Sequence, residues 1–107
     1  MHTEFLWQRI RELFPNGAAL THIDEASLVV AWPLTDDASR PNRRSQPVAV
    51  RVANEVLKAL DHANDQRRLA ILTNAFRIVQ NGMHRYPGNP DAPFAHRIEL
   101  ESEALDE

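Results

Sequence analysis

The side chains of this chain that could do chemistry are five histidines, four serines, an adjacent aspartate pair and a group of arginines. His2, His22, His62, His84 and His96 show no His-x-His or His-x-x-x-His spacing. A metal site would therefore need ligands converging from distant segments, and no metal or cofactor is expected. Ser27, Ser39, Ser45 and Ser102 fall in turns or near the C-terminus, and none sits in the Gly-x-Ser-x-Gly context of a nucleophile elbow. Asp36 and Asp37 are sequence neighbours, so in extended chain their carboxylates point apart and do not form an acid/base pair. With only Gly17, Gly82 and Gly88 present, the chain has no glycine-rich phosphate cradle. No cysteine is present, which excludes disulfides and thiol catalysis.

The arginines are the remaining polar feature. Arg40, Arg43 and Arg44 lie in the irregular stretch 35–46, and Arg51 follows in a strand; these four are the candidate anion or partner contacts. Charge along the chain is uneven. Residues 1–39 carry two arginines against six carboxylates, residues 40–85 nine cations against three, and residues 86–107 one against six. Since the net charge is −3, the acidic ends are expected to fold over the basic middle and neutralise it.

The elements that must position these residues follow from periodicity. Leu6, Trp7, Ile10, Leu13 and Phe14 share a helical face, with Thr3 as the expected N-cap and Pro15-Asn16-Gly17 as the stop. Phe5 lies off that stripe and reads as a partly exposed aromatic. Residues 18–23 and 28–34 read as a hairpin joined by Asp24-Glu25-Ala26-Ser27. The second of these strands is apolar on both faces, as in a strand covered twice. Val48, Val50 and Val52 alternate as a strand with one buried face. The period then becomes helical through Val56, Leu57 and Leu60, with Asn54 as the expected cap. A second helix capped by Asp65 follows, with Leu69, Leu72, Phe76, Val79 and Met83 on its apolar face, widened by Ile71, Ala75 and Ile78. Three prolines and Gly88 in residues 86–93 end that helix, and residues 94–100 give a last strand with Arg97 and Glu99 on its wet face.

The predicted class is α+β, with element order α-β-β-β-α-α-β: an antiparallel sheet of about four strands, an N-terminal helix and a central helix pair packed on it. Residues 1–100 are expected to form a single domain with a mobile loop at 35–46, and 101–107 an acidic disordered tail. The N-terminus has charges within its first ten residues, and no run approaches the roughly 20 apolar residues of a membrane span, so a cytoplasmic protein without membrane contact is expected.

The segment from Val48 to Val79 resembles a ribbon-helix-helix unit, an alternating strand followed by two helices. That resemblance implies a DNA-binding regulator that pairs two strands across a dimer and presents Ala49 and Arg51 to the major groove, flanked by Arg43 and Arg44. The leading expectation is different: a non-enzymatic interaction or structural module, forming a homodimer through strand 28–34 or helix 65–83 or binding another protein. A small enzyme with a site assembled from distant residues is the third reading.

Overall fold

A computed structural model describes residues 2–34 and 43–106. Its elements are helix α1 (His2–Ile10), strands β1 (Ala19–Ile23), β2 (Ser27–Ala31) and β3 (Val48–Val52), helices α2 (Asn54–His62) and α3 (Asp65–His84), and strand β4 (His96–Leu100). Short 3-10 turns follow α1 (Arg11–Leu13) and β4 (Ser102–Leu105). The strands form one sheet in the order β1-β2-β3-β4. β1, β2 and β3 are an antiparallel meander, whereas β4 runs parallel to β3. The parallel pair departs from the all-antiparallel expectation for a topological reason. The α2–α3 pair occupies the connection from β3 to β4, and a crossover of that kind returns the chain in the same direction.

Alternation along the strands sets where the core lies. Leu28 and Val30 of β2, Val48, Val50 and Val52 of β3, and Ile98 and Leu100 of β4 are all buried. They form one cluster with Leu6 and Ile10 of α1, Val56 and Leu60 of α2, and Ile71, Ala75 and Val79 of α3. All three helices therefore cover the same face of the sheet. Trp32, just beyond β2, turns into this core, with its ring centroid 6.1 Å from Phe14 and 5.6 Å from Tyr86.

On α3 the buried line runs through Ile71, Ala75, Val79 and Gly82, while Leu69 is 54% exposed and Leu72, Phe76 and Met83 flank the core. The small residues explain this rotation of the predicted stripe. A Cβ at Gly82 would lie 2.8 Å from both Cδ1 and Cγ1 of Ile98, so the helix rests on β4 through a residue with no side chain. At the other end, Gly17 holds a φ of 88° in the turn that stops the first helical segment.

Several local expectations are corrected. Thr3 lies inside α1 and is fully buried, and its hydroxyl donates to the carbonyl of Asp24 at 2.6 Å. It ties the helix to the hairpin turn and caps nothing. The cap of α3 is Asn64, whose side chain accepts from the Arg67 N–H at 2.8 Å, and not Asp65. Asn54 is already in α2, whose N-cap residue Ala53 makes no side-chain cap bond. Phe5 is 57% exposed, as the sequence indicates.

Two segments expected to be loose are built into the fold. Residues 43–46 extend the β2–β3 hairpin: Leu34 N–H donates to the Arg43 carbonyl at 2.9 Å, and Ser45 N–H to the Trp32 carbonyl at 2.8 Å. Ser45 and Gln46 are buried, and Gln46 holds the proline-rich connection through bonds to Phe94 and Asn89. The remainder of the expected mobile loop, 35–42, lies outside the described residues. The expected disordered tail forms the Ser102–Leu105 turn instead, with Ala104 fully buried. Asn74 donates to the carbonyls of Ala104 and Asp106, and Arg67 donates to that of Leu105 at 2.6 Å. An acidic composition suggests solvation, but these bonds are made by the tail's backbone, which composition does not describe.

Candidate interaction surface

The face of the sheet away from the helices is built from the alternate positions. Cross-strand pairing places Ser27, Arg51 and Glu99 in one row, and Val29, Ala49 and Arg97 in the next. A bulge in β1 puts His22 opposite Val29, so His22 extends the second row. Asp24 donates its N–H to the Ser27 carbonyl at 2.9 Å, which extends the first row at the same edge. Each row thus crosses the whole sheet, with neighbouring strands about 4.8 Å apart and the two rows about 7 Å apart. Among the described residues the three helices pack on the other face; on this one Ala31, in line with Ser27 and Val29, is buried at one end.

Small side chains lie in its middle and charged ones at its margins. Ser27, Val29 and Ala49 are half-buried, while Arg51, Arg97 and Glu99 are exposed. Together these six line a shallow depression of about 220 Å³. Among the described residues neither Arg51 nor Arg97 has an ion-pair partner, although Glu99 stands beside Arg51 on the adjacent strand. The closeness of Glu99, foremost, with repulsion from Glu103 and Glu55, raises the Glu101 carboxyl above the ordinary glutamate range.

The predicted arginines do not converge. Arg51 lies on the open face near the β1–β2 turn. Arg44 is exposed at the opposite end of the hairpin, bridged to Pro33, and seven residue steps of near-extended chain put the two about 23 Å apart. Arg43 pairs with Asp91 at 2.8 Å, a contact that fixes the 87–95 connection. Arg40, like Asp36 and Asp37, lies outside the described residues. Arg97 is the member that sequence reasoning left out. Its position on the wet face of the last strand was legible, but its place beside Ala49 follows from the parallel register, for which no residue pattern is diagnostic.

The same geometry bears on the other two readings. A ribbon-helix-helix dimer needs its strand free to pair with a second chain. Here β3 is hydrogen-bonded to β2 on one side and to β4 on the other, within the chain. For catalysis, the His22, Asp24 and Ser27 side chains do meet. Asp24 Oδ2 lies 2.8 Å from His22 Nε2, while Oδ1 accepts from the Ser27 hydroxyl at 3.0 Å and from the N–H groups of Ala26 and Ser27. These bonds, that from His22 foremost, hold the Asp24 carboxyl well below the ordinary aspartate range. The carboxylate sits between the histidine and the serine, so the imidazole cannot take the hydroxyl proton as a nucleophile relay requires. The trio closes a turn. His2 and Asp61, 2.5 Å apart, pin α1 to α2 in a similar way.

A concavity of about 740 Å³ is an open groove between the end of α1 and α3, lined by Trp7, Arg9, Arg11 and Phe76 among others. Arg9 crosses it to Thr73 at 3.3 Å. Among the described residues no cluster of histidine and carboxylate side chains is arranged to hold a metal ion, and no helix is long and apolar enough to cross a membrane. Comparison with protein-family models, with curated proteins and with solved structures finds no match to this chain.

Proposed function

We propose that this chain is a non-enzymatic interaction module whose contact surface is the open face of the sheet, and that the occupant of that face is a second copy of the chain. The observation that carries the reading is the single helical layer. Three helices and the C-terminal turn cover one side of the sheet, and Val29 and Ala49 on the other side meet no covering element among the described residues. The face carries both signs of charge, Arg51 and Arg97 with Glu99, and so suits a surface of its own kind better than a uniformly charged partner.

Size sets the expected strength. Four strands of five residues cover about 19 by 17 Å, or roughly 320 Å². A standard interface takes about 800 Å² from each partner. The strands alone supply less than half of that, so association should be reversible and concentration-dependent. Light scattering across a concentration series tests the reading. The wild type should shift from monomer to dimer as concentration rises, and Ala49→Arg, which places a long cation in the middle of the face, should hold it monomeric. A strict monomer up to about 1 mM, the limit of weak specific association, would overturn the proposal.

A further inference from the structure

We infer that self-recognition across this face follows one register, in which a two-fold axis exchanges the two rows and sets Arg97 of each copy against Glu99 of the other. The inference rests on the dimer reading above and adds the residues that make it specific.

The argument is positional. A two-fold axis between two stacked sheets, running across the strands midway between the rows, lays each row on the other. The Asp24-Ser27-Arg51-Glu99 row of one copy then covers the His22-Val29-Ala49-Arg97 row of its mate. Every column is matched. At one edge the His22–Asp24 pair of each copy faces that of the other, and at the other edge Glu99 meets Arg97. In between, Ser27 covers Val29, and the long Arg51 lies over Ala49, in the depression that the small residues leave. Aligned sheets pack about 10 Å apart and within about 30° of parallel, a separation that facing Arg and Glu side chains can bridge. Arg97, which has no ion-pair partner among the described residues, gains a carboxylate, and the two-fold repeats the pair.

A second register would also pair opposite charges. An axis along the strands, between β3 and β4, sets Arg51 against Glu99 and Ala49 against Arg97. It superposes only those two strands and leaves Ser27 and Val29 beyond the edge of the mate. The row-exchanging axis uses all four strands, and with so small a face that difference decides between them.

Charge reversal tests the register. Arg97→Glu places carboxylates against carboxylates, and Glu99→Arg places cations against cations, so each variant alone should dimerise about tenfold more weakly or worse. An equimolar mixture of the two should form a heterodimer near wild-type affinity, because each reversed residue meets an opposite charge. Arg51, Arg97 and Glu99 are exposed, so folding should be preserved in the charge-reversal variants, and circular dichroism checks this for them and for Ala49→Arg. If Arg51→Glu mixed with Glu99→Arg restores association and the Arg97→Glu mixture does not, the two-strand register is correct and the inference fails. If the wild-type dimer is broken by Ala49→Arg but no mixture restores association, the face is right and the register wrong. If Leu69→Glu on α3 dissolves the dimer and Ala49→Arg does not, the helix is the interface and both proposals fall. A monomeric wild type overturns both.

Discussion

Replacing Gly82 by alanine tests the contact that positions β4, and with it Arg97 and Glu99. Taken as a helix residue alone, the change should stabilise by about 1 kcal/mol, the usual difference between glycine and alanine inside a helix. The packing opposes it. The new methyl would lie 2.8 Å from Ile98 Cγ1 and Cδ1 and 3.3 Å from Cγ2, where ordinary contact begins near 3.4 Å. Rotation about the side chain does not relieve this, because Ile98 is β-branched and 4% exposed, and its two γ carbons are fixed by one χ1. Overpacking of this kind costs about 1–3 kcal/mol. The net expectation is a loss of about 1 kcal/mol, read as a lower urea midpoint at unchanged slope. Ile98→Val should bring little relief, since it removes Cδ1 and keeps a γ carbon at the close position. Ile98→Ala should be less costly in the Gly82→Ala background than in the wild type, with a coupling of about 1 kcal/mol or more. A Gly82→Ala protein stabilised by the full helix-propensity gain, additive with Ile98→Ala, would refute the reasoning.

Two other predictions concern the segments that tie the fold together. Truncation after Glu101 removes the buried Ala104, the flanking Leu105 and the carbonyls that Asn74 and Arg67 hold, and should cost about 2 kcal/mol in chemical denaturation, where a solvated tail would cost nothing. Asp24 should give the protein an acid limb. Its folded carboxyl titrates below the ordinary aspartate range, so the stability it contributes is complete above that range and is lost as pH falls toward the depressed value. In thermal melts, Asp24→Asn should be less stable than wild type near pH 7, and the gap should close in strong acid. A gap independent of pH would show that the His22 contact does not carry the effect.

The element order was legible because each segment announces its period. Val48, Val50 and Val52 alternate, Val56 and Leu60 keep helical spacing, and Pro87, Pro90 and Pro93 end a helix decisively. The direction of β4 was not, because residues 94–100 read the same way up or down, and the choice rests on how a helix pair with a proline-rich connection returns the chain. The two-sided apolar character of residues 28–34 carried two separate meanings. Leu28, Val30 and Trp32 serve the core, and Val29 lies on the open face. The tail and residues 43–46 escaped because their order depends on distant partners: the tail's carbonyls meet Asn74 and Arg67, and the Ser45 N–H meets the Trp32 carbonyl.

The charge pattern now has a physical sense. The acidic ends were expected to fold over the basic middle. Asp91 does meet Arg43 at 2.8 Å, and Arg67 of α3 holds the carbonyl of Leu105. Of these two contacts only the first joins opposite charges, and it lies at a loop end. On the open face Glu99 of the acidic C-terminal segment stands beside Arg51 on the adjacent strand, while Arg97 has no ion-pair partner among the described residues. Arg51 and Arg97 stand exposed beside small side chains, so a surface laid against them displaces their water and must offer charge in exchange. In the row-exchanging register a second copy supplies Glu99 to Arg97, and this is why the charge-reversal mixture, more than the dimer alone, is the decisive observation.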